Sequence, residues 1–290
     1  MFGDILLKTF IFCIFITVVN TCSATDVVRY VVSEKFPDPK TLYFSDLLTL
    51  ALEQTREEFG DFLLQPIVIE TGQERTSIML ERNEFIDVAW RMTSKTLEDR
   101  LQAVYVPLLK GMMGYRIFII PADEQSRFPK NILLSELKAM PVGQGANWAD
   151  TDILKSNDFA VVEGSYSNLL KMLTKNRFSY FPRALHEPWQ EIEGNDSLVV
   201  EKNLALKYNS PIFFFVNKTN TRLNNRINLG LTKLIQSGEF DIFFTQHAMT
   251  SGILDKAQLS SRTVFELSNP YISATTQALV DNKKLWLKFQ

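Results

Sequence analysis

The strongest constraint on the fold is the regular alternation of short β-rich runs with amphipathic helical stretches. Residues 27–32 form an apolar run typical of a buried strand, and residues 62–69 and 85–90 repeat it. Between the first two runs, apolar residues recur at helical spacing over 44–59, and the pattern ends at Gly60. This alternation predicts an α/β fold in which mainly parallel sheets are covered by helices.

The same alternation starts again after Pro121 and divides the chain into two lobes. Strand and helix patterns recur over 122–211, and a second long amphipathic stripe follows over 223–238. We therefore expect residues 122–211 to form lobe 2, inserted into a lobe 1 made of residues 25–121 and 212–290. Because no tract rich in Pro, Gly or Ser separates them, two ordered crossover strands are expected to join the lobes.

The composition argues against two classes of partner. The chain has 290 residues, 46% of them hydrophobic, which is enough apolar surface for one large core or two smaller ones. Its 31 basic and 33 acidic residues are evenly mixed and leave a formal charge of −2. Neither a nucleic acid nor an anionic membrane surface is therefore predicted as a partner.

The first 24 residues differ from the rest and are typical of an export signal. Lys8 precedes an apolar run over 10–19, and small residues follow it. A run of about ten residues is too short to span a bilayer as a helix, so a signal peptide over 1–24 is predicted in preference to an uncleaved anchor or a buried helix. Its removal would take away Cys13 and Cys22, and we expect a periplasmic protein without disulfides.

Several short motifs occur in a defined order along the chain. They are FIDVAW (85–90), TLEDR (96–100), VPLL (106–109), GQGANWADT (143–151), RFSYFPR (177–183) and SGEFD (237–241). This order resembles the type II periplasmic solute-binding proteins, in the branch related to the polar amino acid binders. The resemblance implies a two-lobed monomer without cofactor, which closes about a hinge on a small polar, anionic or amino-acid-like solute. An inner-membrane transporter or a sensor would be its partner.

Three arginines are the first candidates for ligand contacts. In the amino acid binders that the chain resembles, the arginine of the turn at Arg100 forks onto the ligand carboxylate; pairing with Glu98 and Asp99 is the alternative. Arg116 lies inside a β run, so it is either ligand-facing or salt-bridged. Arg183 stands near the position where amino acid binders carry an aspartate, and it favours a ligand with acidic character.

Two tryptophans and two further charged residues complete the predicted site. Trp90 and Arg91 are expected where the third strand ends, at the carboxyl edge of a parallel sheet, where such folds bind ligands. Trp148 lies in a glycine-containing turn into a helix N-terminus, and with Trp90 it would orient the solute. If Arg183 faces the cleft, Glu187 would have to read an amine on the ligand. A core position for Trp90 and an exposed one for Arg91 remain alternatives.

The sequence contains no recognisable catalytic constellation. Its two histidines, His186 and His247, are not part of a metal-binding motif, and the Gly-x-Ser-x-Gly turn of hydrolases is absent. The glycines are too loosely spaced for a nucleotide-binding loop. We therefore expect no enzyme, no metal and no cofactor. An enzyme that uses His186 or Glu187, or an interaction protein with a vestigial cleft, is the alternative.

Overall fold

The fold is described from a computed structural model, which covers residues 25–34, 40–282 and 285–287. The strands are β1 (Asp26–Val32), β2 (Phe62–Val68), β3 (Val88–Met92), β4 (Gln102–Val104), β5 (Tyr115–Pro121), β6 (Val142–Gly145), β7 (Val161–Gly164), β8 (Phe181–Ala184), β9 (Leu198–Val200), β10 (Leu204–Lys207), β11 (Ile212–Val216) and β12 (Thr263–Glu266). The helices are α1 (Lys40–Glu53), α2 (Arg56–Phe59), α3 (Gln73–Glu81), α4 (Lys95–Arg100), α5 (Leu134–Ala139), α6 (Ala149–Ser156), α7 (Tyr166–Thr174), α8 (Pro188–Glu191), α9 (Thr221–Ser237), α10 (Glu239–Gln246), α11 (Ile253–Ala257) and α12 (Ala274–Asn282). The signal peptide predicted over 1–24 lies outside the described residues.

The predicted elements are present, and their ends shift where the backbone turns. The strand predicted over 85–90 begins at Val88, because Asn83 and Phe85 have positive φ angles that no strand can hold. Of residues 104–109, only Val104 belongs to β4, although this stretch is mostly apolar. The chain then turns, with Lys110 donating its backbone N–H to the carbonyl of Pro107.

The sheets of lobe 1 are built around β11, which returns from the other lobe. It lies between β3 and β4 and pairs antiparallel with both, so that Phe214 faces Trp90 on one side and Val104 on the other. Alongside, β1 and β2 pair in parallel over seven residues each. The predicted α/β fold is confirmed, and its sheets are mixed rather than mainly parallel, since the returning strand enters from the opposite end.

Lobe 2 contains a five-stranded sheet and a smaller one. The larger sheet has the order β12–β10–β5–β8, and β9 also pairs with β5. The smaller one joins β6 and β7 in parallel. Because β5 lies at the centre of this sheet and β12 pairs with β10, the segments 115–121 and 263–266 belong to it, although both fall within the lobe 1 predicted from the sequence. The lobe boundaries drawn from the sequence stay a prediction.

Two connections between the lobes run side by side. The first, residues 105–114, leads from β4 to β5, and the second, residues 208–211, leads from β10 to β11. Tyr208 donates its backbone N–H to the carbonyl of Gly114 at 3.0 Å, and Ser210 Oγ donates to the carbonyl of Met113 at 3.0 Å. A side chain at Gly114 would collide with the carbonyl of Tyr208, so the close approach requires glycine.

The apolar core has one large cluster and smaller satellites. The large cluster packs α1 and α9 against the lobe 1 sheets, and at Gly230 a side chain would strike the backbone of Ala51. A second cluster fills lobe 2 around Phe118, Phe128 and Tyr180.

Among the residues described, no helix is both long and apolar enough to cross a bilayer.

A fully buried arginine of α9 binds the start of β1. Arg226 donates to the Asp26 carboxylate at 2.6 Å and to the carbonyl of Gly60 at 2.6 Å. These partners stand at the beginning of β1 and just before β2. Burying a guanidinium is costly unless its donors are satisfied, and here two strand ends satisfy them. The arginine therefore fixes the edge of lobe 1.

Replacing this arginine should test its role. We expect Arg226→Met to lower the free energy of unfolding by about 3 kcal/mol, because Asp26 and the carbonyl of Gly60 lose their buried donor. Arg222→Met is the matched control: Arg222 reaches the same carboxylate from an exposed position, at 3.3 Å, and should cost less than about 1 kcal/mol. Urea denaturation of both variants measures the difference; equal losses would contradict the assignment.

Candidate functional site

A cavity of about 170 Å³ lies where the two lobes face each other. Its lining contains Phe44, Gln73, Trp90, Arg91 and Met92 from lobe 1, Met113 and Ile212 beside the two connections, and Arg116, Trp148, Ala149, Asp150, Arg183 and Glu187 from lobe 2. The structure thus brings six of the seven sequence-predicted site residues together around one cavity. Arg100 is the exception.

The lobe 1 wall is an aromatic surface at the end of β3. The ring of Trp90 stacks on Phe44, with centroids 5.4 Å apart and planes 23° apart, and its other neighbours are Tyr30 and Phe214. Trp90 is therefore both a core residue and a residue of the cavity lining. The sequence had left these two positions as alternatives. Next to it, Arg91 donates to the backbone carbonyl of Trp90 at 2.7 Å, and this bond holds the guanidinium against the wall.

The floor of the cavity is a buried group of three polar side chains. Arg116, at the start of β5, donates through Nε and Nη2 to Oδ1 of Asp150 at 2.9 and 2.7 Å. Its third nitrogen bonds the carbonyl of Met113, and the Tyr208 hydroxyl also donates to Asp150. Burial acts to lower the pKa of Arg116, but Asp150, Tyr208 and Glu187 together outweigh it and the pKa is raised. Burial raises the pKa of Tyr208 well above its ordinary value, so the phenol keeps its proton and donates.

A second buried arginine forms the lobe 2 wall. Arg183, at β8, donates through Nε and Nη2 to the two oxygens of Glu191 at 2.7 and 2.6 Å, and Glu187 lies 3.1 Å from Nη2. Its guanidinium packs between aromatic rings, 4.9 Å from the ring centres of Trp148 and Phe181. Burial acts to lower the pKa of Arg183, but the two carboxylates raise it. The net effect is an increase in the pKa.

The indole of Trp148 is positioned by a glycine beneath it. Trp148 precedes α6, and its ring lies over Gly145 so closely that any side chain at that position would meet the ring. The ring also stacks on Phe181, with planes 26° apart. The glycine-containing turn predicted over 143–151 therefore ends β6 and positions a tryptophan at the cavity.

Arg100 does not line the cavity, contrary to the placement expected from the sequence. It lies at the end of α4 and bonds Glu81 at 2.8 Å and Glu74 at 2.9 Å on α3. The expected alternative partner Glu98 is instead buried. The turn after Thr93 forms a full helix, α4, which carries the arginine past the edge of the cavity to the protein surface.

Asp150 lines the cavity but is not among the site residues predicted from the sequence. It stands in the first turn of α6, which begins at Ala149, and its side chain turns back to Arg116. A signal was present: an acidic residue in the first turn of a helix that follows a buried strand stands near the carboxyl edge of the sheet. The sequence could not show that Arg116, 34 residues earlier, would face it.

Removing the charge of Asp150 should destabilise the protein. We expect Asp150→Asn to cost about 3 kcal/mol of unfolding free energy, because the almost fully buried Arg116 loses its counter-ion. Asp152→Asn, two residues along the same helix and exposed, is the control and should stay within about 0.5 kcal/mol. Denaturant titrations of the two variants give the comparison. A loss for Asp150→Asn no larger than that of the control would contradict the ion pair.

The comparisons with known proteins concern the fold. No protein-family model matches the chain, and no curated protein matches it in sequence. Solved structures do match it. An arginine-specific periplasmic binding protein of Salmonella typhimurium has a TM-score of 0.55 at 14% identity and covers 76% of this chain and 97% of its own. A probable amino-acid ABC transporter extracellular-binding protein of Bacillus subtilis has a TM-score of 0.58 at 14% identity and covers 78% of this chain and 99% of its own.

A histidine kinase sensor domain with similarity to periplasmic binding proteins also matches, with a TM-score of 0.54 at 16% identity, and covers 76% of this chain and 93% of its own. Identities this low show the fold and nothing finer. The resemblance predicted from the sequence is confirmed at that level: the chain has the two-lobed α/β fold of the periplasmic amino-acid-binding proteins.

Proposed function

We propose that this chain is an exported solute-binding protein that captures a small polar, amino-acid-like solute between its lobes. The observation that carries the proposal is the cavity itself: residues from both lobes line it, and they combine guanidinium groups, carboxylates and tryptophan rings. Enclosed sites with a few convergent polar groups are typical of small-molecule binding. The fold neighbours include proteins described as amino acid binders, which agrees with this class of ligand.

The charges of the lining favour a zwitterion over a simple anion. Arg116 and Arg183 both face the cavity, but Asp150 faces the first and Glu187 and Glu191 face the second. Their positive charges are thus largely balanced within the protein. A ligand that carries an ammonium and a carboxylate fits a wall of both signs better than a ligand with negative charge alone. The acidic character inferred earlier from Arg183 alone is weakened by these partners.

In this proposal each wall has a separate task. Arg91 binds the carboxylate of the solute, and the carboxylates of Asp150 and Glu187 attract its ammonium group. Trp90 and Trp148 flank the rest of the ligand from the two lobes. Binding stabilises the closed arrangement, since only there do both walls reach the solute.

The partner belongs to one of two classes. Delivery to an inner-membrane transporter and presentation to a sensor both use this fold, and the fold neighbours include examples of each. We place the protein in the periplasm, consistent with the export signal predicted over 1–24. An enzymatic role has less support: neither histidine lines the described cavity, and Glu187, which does, is engaged by the backbone N–H of Ala184 and by Arg183.

Binding can be tested with one pair of arginine variants. Titration calorimetry against a panel of amino acids, dicarboxylates, sugars and peptides should find saturable binding for an amino acid. We expect Arg91→Gln to weaken it at least about tenfold, the value of one charge-assisted hydrogen bond. Arg100→Gln, which removes an arginine outside the cavity, should leave the affinity unchanged. Binding of dicarboxylates alone would contradict the zwitterion, and no binding in the panel would contradict the proposed function.

A further inference from the structure

The C-terminal part of the chain crosses from lobe 2 to lobe 1. We call residues 262–276 the strap. The strap begins on the outer strand of the lobe 2 sheet, passes the second connection between the lobes, and ends on α4 of lobe 1. It is therefore a third crossing beside the connections 105–114 and 208–211, and each of its parts is hydrogen bonded.

The first part of the strap is fixed to lobe 2. Arg262, with a side chain only 5% exposed, donates to the carbonyl of Glu201 at 2.5 Å and to that of Leu204 at 3.0 Å. The next four residues form β12 on β10. At the end of α6, the side-chain amide of Asn157 donates to the backbone carbonyl of Ser268 at 2.7 Å and accepts the backbone N–H of Ser268 at 3.1 Å.

The middle of the strap lies on the hinge. Asn269 Nδ2 donates to the backbone carbonyl of Asn209 at 2.7 Å, within the second connection. Two residues later, the carbonyl of Tyr271 accepts the backbone N–H of Lys95 in lobe 1 at 2.6 Å. The strap thus passes from the second connection to lobe 1 within two residues, so this part of it is short.

The last part is fixed to lobe 1 by a buried carboxylate. Glu98, only 8% exposed, accepts hydrogen bonds from Ser273 at 2.5 Å and from Thr276 at 2.6 Å. Thr93 and Tyr105 of lobe 1 donate to the same carboxylate, at 2.5 and 3.0 Å. Four hydroxyl donors satisfy a carboxylate that would otherwise be costly to bury, so this end of the strap is firmly held.

Apolar packing adds to these bonds just before the strap. Ala257 and Leu259, at and after α11, belong to the large core cluster, which also contains Ala184 and Leu185 of lobe 2 and α1 of lobe 1. Lys256 of the same helix lies over Trp189 at 4.7 Å. The core of lobe 1 therefore continues through this segment into lobe 2.

From these contacts we propose that this structure is the closed arrangement, and that the strap holds the two lobes in it without a ligand. Opening of the hinge moves α6 away from α4, and the strap is bonded to both, at Asn157 and at Glu98. An opening motion must therefore break one of its two ends. The ligand-free population is shifted to the closed form, and the solute enters a largely formed site. The inference rests on the proposed function only in that the lobes move about their hinge.

The test measures the shape of the ligand-free protein by small-angle X-ray scattering. The exported chain is unfolded, dialysed and refolded to remove bound molecules, and mass spectrometry confirms that none remains. We expect its scattering curve to fit the lobe arrangement of this structure. In Asn157→Ala/Thr276→Val, which removes a bond group at each end of the strap, we expect a larger radius of gyration. A ligand-free wild type that is already open would overturn the proposal.

A matched variant controls for general loosening. Asn168→Ala/Thr232→Val makes the same two substitutions, but these side chains bond Ser165 and Asn228 within single lobes. Its radius of gyration should equal that of the wild type. An unchanged strap variant, or equal expansion of both variants, would overturn the proposal. If the double strap variant fails to unfold cooperatively in urea, the single variant Asn157→Ala, which changes a residue at the protein surface, replaces it. This variant must then have a larger radius of gyration than the wild type.

Because no solute is added, this test is independent of ligand identity. A closed wild type and an expanded strap variant would support the strap even if calorimetry found no amino acid bound. Conversely, saturable amino acid binding together with an unchanged strap variant would support the proposed function and reject the strap.

Discussion

The site depends on one buried ion pair, between Arg116 and Asp150. The arginine stands where the chain enters lobe 2, and the aspartate stands at the start of α6, beside the cavity. Tyr208, from the second connection, donates to the same carboxylate. Because a buried guanidinium must keep its counter-ion, the start of β5, the second connection and α6 cannot move independently of one another. The geometry of the cavity is thus tied to the geometry of the hinge.

The same principle recurs elsewhere in the molecule. Arg183 is held by two carboxylates within a cage of aromatic rings, and Arg226 by Asp26 and a backbone carbonyl. In each case the charge is buried only where a second element supplies the acceptor. Burial and the neighbouring Glu191 also raise the pKa of Tyr166 to about 12, so its hydroxyl keeps its proton and donates to that carboxylate. Charged groups in this protein therefore fix the relative positions of helices and strands.

The sequence predicts the fold class and most element positions, because hydrophobic periodicity is a local property. It also places Trp90 at a strand end and Trp148 in a turn into a helix, and both residues line the cavity. It does not predict which charges meet. Arg100 was selected from a motif, but its place at the end of α4 carries it to Glu74 and Glu81 on α3. Asp150 was passed over because its partner is far away in sequence, and such pairing depends on the three-dimensional fold.

The bond between Arg226 and Asp26 joins residues 200 positions apart. Everything between them, including the whole of lobe 2, must be synthesised before lobe 1 can close its edge. Within lobe 2, the pairs β6–β7 and β5–β8 join residues much nearer to one another. Since long loops close slowly and local contacts form first, these pairs are expected to form ahead of the bond between Arg226 and Asp26. A chain that crosses a membrane from its N-terminus would then remain incomplete at its leading end until α9 has followed.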